Sequence, residues 1–133
     1  MLRWKLHFIL ILSLSLTSLG GCQSMSERKR DESLTATLAL YGRVLRWQGV
    51  QEQGAMLVDP ALAPRNDAIR VTSYQVVSSP VFTGENSASQ TAVIEYTYDD
   101  SQMIKRVIDH QTWEYDSERE SWLRANPPPE MPR

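Results

Sequence analysis

The sequence predicts an α+β fold in which N-terminal helices pack across one face of a curved four-stranded antiparallel sheet. Three observations carry this expectation. Apolar side chains recur at helical spacing between residues 33 and 48, the period drops to two from residue 69, and tight-turn sequences separate the segments that follow. A chain of 133 residues, 41% hydrophobic and 23% charged, can bury one modest core but is too short for two ordinary domains.

The first helix is expected to open at Ser33, whose hydroxyl suits an N-cap. Leu34, Leu38, Tyr41, Val44, Leu45 and Gln48 then form one apolar stripe, with Thr35, Gly42, Arg43 and Arg46 off it. Gly49 is the expected stop. Val50–Val58 reads as a second, shorter helix, ended by Asp59-Pro60 because the residue before proline is pushed out of the helical region. Ala61–Asp67, with Pro64, reads as a loop.

From Ile69 two interleaved sets, Val71/Ser73/Gln75/Val77 and Arg70/Thr72/Tyr74/Val76, leave the facing of the first strand open. Ser78-Ser79-Pro80 suggests a bulge or an end, and Thr83–Ser87 a turn. In the second strand Ala92, Ile94, Tyr96 and Tyr98 share a face. After Asp99–Gln102, the segment Met103–Tyr115 sets Met103, Val107, Trp113 and Tyr115 on one side with Lys105, Asp109 and Gln111 between them. Ile104, Ile108 and His110 take the other side. Asp116–Glu120 turns the chain into a last short strand, Ser121–Ala125, with Trp122 and Leu123. The prolines of residues 127–133 exclude that tail from a ladder. Helices must cover the apolar side of such a sheet, and the hollow between its concave face and the first helix is the expected ligand site.

The N-terminus predicts the compartment. Arg3 and Lys5 precede an uncharged stretch, Leu6–Leu19. As a helix it would span about 21 Å, short of the roughly 30 Å hydrocarbon core, which is the build of a signal peptide. Leu19-Gly20-Gly21-Cys22 resembles the lipobox of bacterial lipoproteins. The resemblance implies a diacylglyceryl group on the Cys22 thiol, removal of residues 1–21, and anchorage to a membrane. Gln23, where enterobacterial-type lipoproteins held in the inner membrane have Asp, implies the outer membrane and a periplasm-facing domain. Removing residues 1–21 takes away two cations and no acid, moving the net charge from −2 to −4. Residues 22–32 are expected to form a flexible tether. Its Arg28-Lys29-Arg30 run is broken at once by acids and reads as solvated linker rather than a headgroup site. The folded domain is thus expected over 33–126.

Several functions are excluded by composition. A single Cys forbids an internal disulfide, and the charge balance carries no basic stripe for nucleic acid. No CxxC, HExxH, GxSxG or P-loop is present, so neither metal nor cofactor is expected. His110 and Asp109, adjacent on a strand, face opposite ways and cannot form a dyad.

Tyr41-Gly42-Arg43-Val44-Leu45-Arg46-Trp47, the Leu57-Val58-Asp59-Pro60 helix end and the hairpin Gln111–Tyr115/Ser121–Arg124 together resemble the NTF2-like (cone-shaped α+β) superfamily over residues 33–126. The chain departs from that pattern in its short connection before the first strand, which leaves little room for a third helix. Asp109 among Val107, Trp113 and Tyr115 would sit where desolvation turns a carboxyl group into a usable base. The resemblance implies proton abstraction by such an Asp, with Tyr41, Tyr96 or Tyr98 as donor. The competing expectation places Asp109 near the open end of the sheet or pairs it with Arg106 or Arg124 across strands. Trp47, Trp113 and Trp122, with Tyr41, Tyr96 and Tyr98, are the candidate cavity wall. A non-enzymatic ligand- or protein-binding or envelope-assembly module is the leading expectation, ahead of a cavity enzyme. Envelope accessory lipoproteins of the BamE type share the helices-first order, but not their three strands or glycine-proline helix end. Ile104 and Ile108 are the expected surface for pairing two copies.

Overall fold

The computed structural model describes residues 20–133, with side chains from residue 25 onward; Met1–Leu19, most of the expected signal peptide, lies outside the described residues. Helix α1 spans Gly20–Trp47. It therefore starts well before Ser33, and residues 23–32, expected as flexible tether, are helical. No proline or glycine interrupts the run from Cys22 to Tyr41, Met, Glu, Arg, Lys and Leu are good helix formers, and Arg28 and Glu32 stand one turn apart at 4.0 Å. Ser33 is consequently interior, and its hydroxyl donates to the Arg30 carbonyl at 2.9 Å instead of capping. Residues up to Ser33 and those from Leu34 to Arg133 form separate units; all packing described below lies in the second. Among the described residues no helix is long and apolar enough to cross a membrane.

Leu34, Leu38, Tyr41, Val44 and Leu45 are buried, as the stripe predicts. Gly42 lets the helix approach the sheet closely, since a Cβ there would come within 2.9 Å of the Tyr74 ring. At the helix end Gly49 takes φ 111°, the left-handed region that glycine supplies without a Cβ clash. The second helix is a 3₁₀ segment, Val50–Met56, rather than an α-helix. Seven residues including Gly54 are too few to propagate α-helical hydrogen bonding, and the buried Gln53 amide donates to the Val50 carbonyl at 2.6 Å. Asp59 caps a further 3₁₀ turn, Pro60–Leu62, by accepting from the Ala61 N–H at 3.0 Å.

Strands β1 (Ile69–Gly84), β2 (Ser87–Tyr98), β3 (Lys105–Asp116) and β4 (Ser121–Arg124) form one antiparallel sheet in sequence order. Together with the helices they make the expected α+β fold. The open facing of β1 is resolved by a register shift. Ile69 and Val71 pair with Tyr98 and Tyr96, the ladder slips between Val71 and Ser73, and Tyr74 and Val76 then oppose Ile94 and Ala92. Both interleaved sets thus reach the inner face in turn. Further shifts around Ser78–Val81 place Pro80 at an irregularity of an edge strand, where its missing N–H costs no ladder bond. On β2 Ala88, Gln90, Ala92, Ile94, Tyr96 and Tyr98 are all buried; on β3 so are Asp109, Gln111 and Trp113. Ile108 stands 56% exposed on the outer side, together with His110, while the strand starts only at Lys105, so Met103 and Ile104, expected within it, precede it and are exposed.

The proline-rich tail joins no ladder, yet it is fastened. Tyr98 Oη donates to the Met131 carbonyl at 2.6 Å and Tyr96 Oη to the Pro132 carbonyl at 2.8 Å. The Met131 side chain is buried among the core residues. Deleting residues 129–133 is expected to cost about 2–3 kcal/mol through the lost methionine burial. Urea unfolding followed by tryptophan fluorescence checks this; an unchanged midpoint would mean the strap adds nothing.

Candidate functional site

Two features occupy the inner face of the sheet: a closed polar network and an open groove beside it. The network is built from residues that strand alternation turns inward. Arg124, at the end of β4, directs Nη2 and Nη1 to the two carboxylate oxygens of Asp109 on β3, at 2.6 and 2.9 Å. Its Nη1 also donates to Tyr41 Oη, and its Nε and Nη2 donate to the Asn126 and Pro127 carbonyls, each at 3.1 Å. All five guanidinium N–H groups are thereby used. Gln111 Nε2 donates to Asp109 Oδ2 and to Tyr74 Oη, both at 2.8 Å, while its Oε1 accepts from Trp113 Nε1 at 3.1 Å. Tyr41 Oη donates in turn to Gln53 Oε1 at 2.6 Å.

Both charged side chains are fully buried. Burial alone would lower the Arg124 pKa, but Asp109 and Tyr41, through hydrogen bonds and charge, together outweigh it and hold the guanidinium above its ordinary value. Burial raises the Tyr41 phenol, against the pull of Arg124. Burial likewise pushes Tyr74 up to about 12, with the hydrogen bond from Gln111 opposing it. Both tyrosines are locked in the neutral form.

This geometry decides between the two expectations for Asp109. Its partner is Arg124, while Arg106 pairs with Glu95 at 2.7 Å on the outer side. With both oxygens engaged and no solvent exposure, the carboxylate has no open face toward a substrate. Tyr41 sits in the network, but Tyr96 and Tyr98 lie under the tail and do not meet Asp109 through any hydrogen bond. Trp113 and Trp122 are core residues, 0% and 1% exposed. The hollow expected under α1 is filled by Tyr41, which packs edge-on against Trp113 at 5.3 Å between ring centres. The Cys22 side chain lies outside the described residues. Among the described residues no cluster of His, Cys, Asp and Glu could hold a metal ion.

Open space lies instead to one side, between α1 and the bulged half of β1. It is a groove of about 490 Å³. Leu38, Ala39 and Gly42 of the helix and Val76 and Pro80 of the strand give it apolar walls, and the Tyr74 ring reaches it from the network. Arg43, Arg46 and Trp47 line one end, Trp47 being 76% exposed. Trp47 is thus the one expected cavity aromatic that does line the groove. Gln90 of β2 lines the same space; it is 4% exposed, and its Oε1 has no hydrogen-bond partner among the described residues.

Sequence reasoning passed over Gln90, Arg43 and Arg46. A readable signal existed for Gln90, a polar residue at an inward position of a strand whose other inward residues are apolar or aromatic. None existed for the arginines, which become a pair facing this space only once β1 bends beside the helix. No protein-family model, curated protein or solved structure matches this chain.

Proposed function

We propose that this protein is a lipid-anchored binding module of the cell envelope. Cys22 holds it to the outer membrane, the domain faces the periplasm, and the ligand enters the groove between α1 and β1 without being chemically changed. The observation that carries the reading is the Gln90 amide, buried beside the apolar walls of the groove with an acceptor oxygen left unpaired. A buried polar atom without a partner is costly, and in a concave apolar site a ligand is the natural source of the missing donor.

The engagement of Asp109 by Arg124 and Gln111 favours binding over catalysis, because a general base needs an oxygen within reach of the substrate proton. The likeness of the closing hairpin to NTF2-like proteins is part of the same reading, since cone-shaped domains present their inner face to ligands. For the anchor, support comes from the lipobox-like run before Cys22 and from Gln23 after it. Two or three acyl chains at about 0.8 kcal/mol per buried CH₂ make such attachment effectively permanent.

Mass spectrometry of the protein isolated from its native envelope tests the anchor. The expected N-terminus is an acylated Cys22. An unmodified Cys22, or a chain still starting at Met1, would overturn it.

A further inference from the structure

We infer that the groove takes an aliphatic chain that ends in an anionic group and carries a hydroxyl, a hydroxylated fatty acid being the simplest example. This rests on the groove being a ligand site and goes on to name the ligand's chemistry. Three observations converge on it.

The first is shape and polarity. Lining residues run along α1 from Thr35 to Trp47, about 18 Å of helix at 1.5 Å per residue, and the volume of about 490 Å³ falls in the range of small-molecule sites. Leu38, Ala39, Val76 and Pro80 offer nothing but van der Waals contact, which suits a polymethylene body.

The second is charge. Arg43 and Arg46 sit one turn apart at the same end of the groove, and neither has a carboxylate within 4.0 Å among the described residues. Arg46 is already oriented. Its Nη1 donates to the Val71 carbonyl at 3.0 Å, and its guanidinium lies 4.7 Å from the centre of the Trp47 ring. That leaves further N–H groups on a fixed plane, the arrangement that favours carboxylate or phosphate oxygens. Two unpaired cations at one end of an apolar trough complement an amphiphile with an anionic head.

The third is Gln90. Its side-chain amide has no hydrogen-bond partner among the described residues, and a plain alkyl chain can neither donate nor accept there, whereas a chain hydroxyl does both. A site that leaves a buried acceptor unpaired discriminates against the ligand without the hydroxyl.

The test uses the full chain in phospholipid nanodiscs, labelled with a diazirine-bearing stearate, the labelled peptides being mapped by mass spectrometry. Three competitors separate the contributions: ricinoleate (acid with a chain hydroxyl), oleate (acid alone) and methyl oleate (neither). Labelling is expected on the peptides holding Leu38–Trp47 and Tyr74–Pro80. Ricinoleate should compete about tenfold better than oleate, and oleate about tenfold better than methyl oleate. Gln90→Leu, which removes an unpaired buried acceptor and so spares the fold, should erase the first ratio and leave the second. Arg43→Glu, at an exposed position, should shrink the second ratio and leave the first. Lysophosphatidate competing as well as oleate would assign the head site to anionic groups in general, consistent with the inference; competition by the two fatty acids but not by lysophosphatidate narrows it to carboxylates. Groove labelling that all three competitors reduce equally overturns the inference while the binding-module reading stands. Absence of label from the groove overturns both.

Discussion

Replacing Arg124 by Met is expected to cost about 3–5 kcal/mol of folding stability, because it strands the buried Asp109 carboxylate. For a domain of this size that is a fall in melting temperature of about 12 °C or more. Arg124 is the junction of the inner face, using five N–H groups to tie β4 to Asp109 on β3, to Tyr41 on α1 and to the start of the tail. Asp109→Asn should be nearly as damaging from the other side, leaving an unneutralised guanidinium at a site with no solvent exposure. The double variant Asp109→Leu with Arg124→Met should recover most of the loss, since an ion pair replaced whole by apolar side chains removes both desolvation costs. Thermal unfolding of the parent, Arg124→Met, Asp109→Leu and the double variant closes the cycle, with Asp109→Asn measured beside it. Single variants that melt within about a degree of the parent would refute a structural role for the pair and reopen the case for Asp109 as a base. A general base leaves the fold largely intact when neutralised, whereas a buried ion pair does not.

Alkaline pH should unfold the domain through the same network. A free tyrosine titrates near pH 10, whereas Tyr74 in the fold is pushed up to about 12 and Tyr41 is raised as well, both chiefly by burial. The folded state therefore keeps protons that the unfolded state releases above pH 10. Stability from these groups is complete below that pH and is lost as pH climbs through the folded values, at about 1.4 kcal/mol per pH unit for each tyrosine. Tyr74 alone accounts for about 2–3 kcal/mol by pH 12. Arg124 remains charged throughout this window, its pKa held up by Asp109, so the loss is assigned to the phenols. Urea midpoints measured from pH 9 to 11.5 should fall steeply above pH 10, and the combined Tyr41→Phe and Tyr74→Phe variant should flatten that fall. An equal slope in parent and variant would place the titration elsewhere.

Much of the fold was readable in order along the chain. The stripe from Leu34 to Leu45, the alternation from Ala92 to Tyr98 and the turns at Asp99 and Asp116 needed only periodicity and turn chemistry. Misreadings occurred where local cues compete. Ser33 has the chemistry of a helix cap, yet the residues before it are helix formers, and a serine hydroxyl can instead donate a hydrogen bond to the carbonyl one turn back. Val50–Met56 lies between the Gly49 stop and the helix-ending Asp59-Pro60 and so reads as a helix, yet a segment so short closes into the tighter 3₁₀ form. In β1 the two interleaved apolar sets looked contradictory because one bulge, invisible to periodicity, lets each face inward in turn.

The candidate site divides along the same line. Residue order alone determined the α+β class, the inward facing of Asp109, Gln111 and Trp113, and the outward facing of Ile108. These follow from the two-residue repeat of a strand, a property of the chain itself. Which inward groups meet was decided only by the tertiary structure: that Asp109 closes on Arg124 and not on Arg106, that the tail covers Tyr96 and Tyr98, and that Arg43, Arg46 and Gln90 share one groove. Such meetings join residues from separate elements, over distances that depend on sheet bulging and on how closely Gly42 lets the helix approach. Periodicity says which way a side chain points; packing says what it finds there.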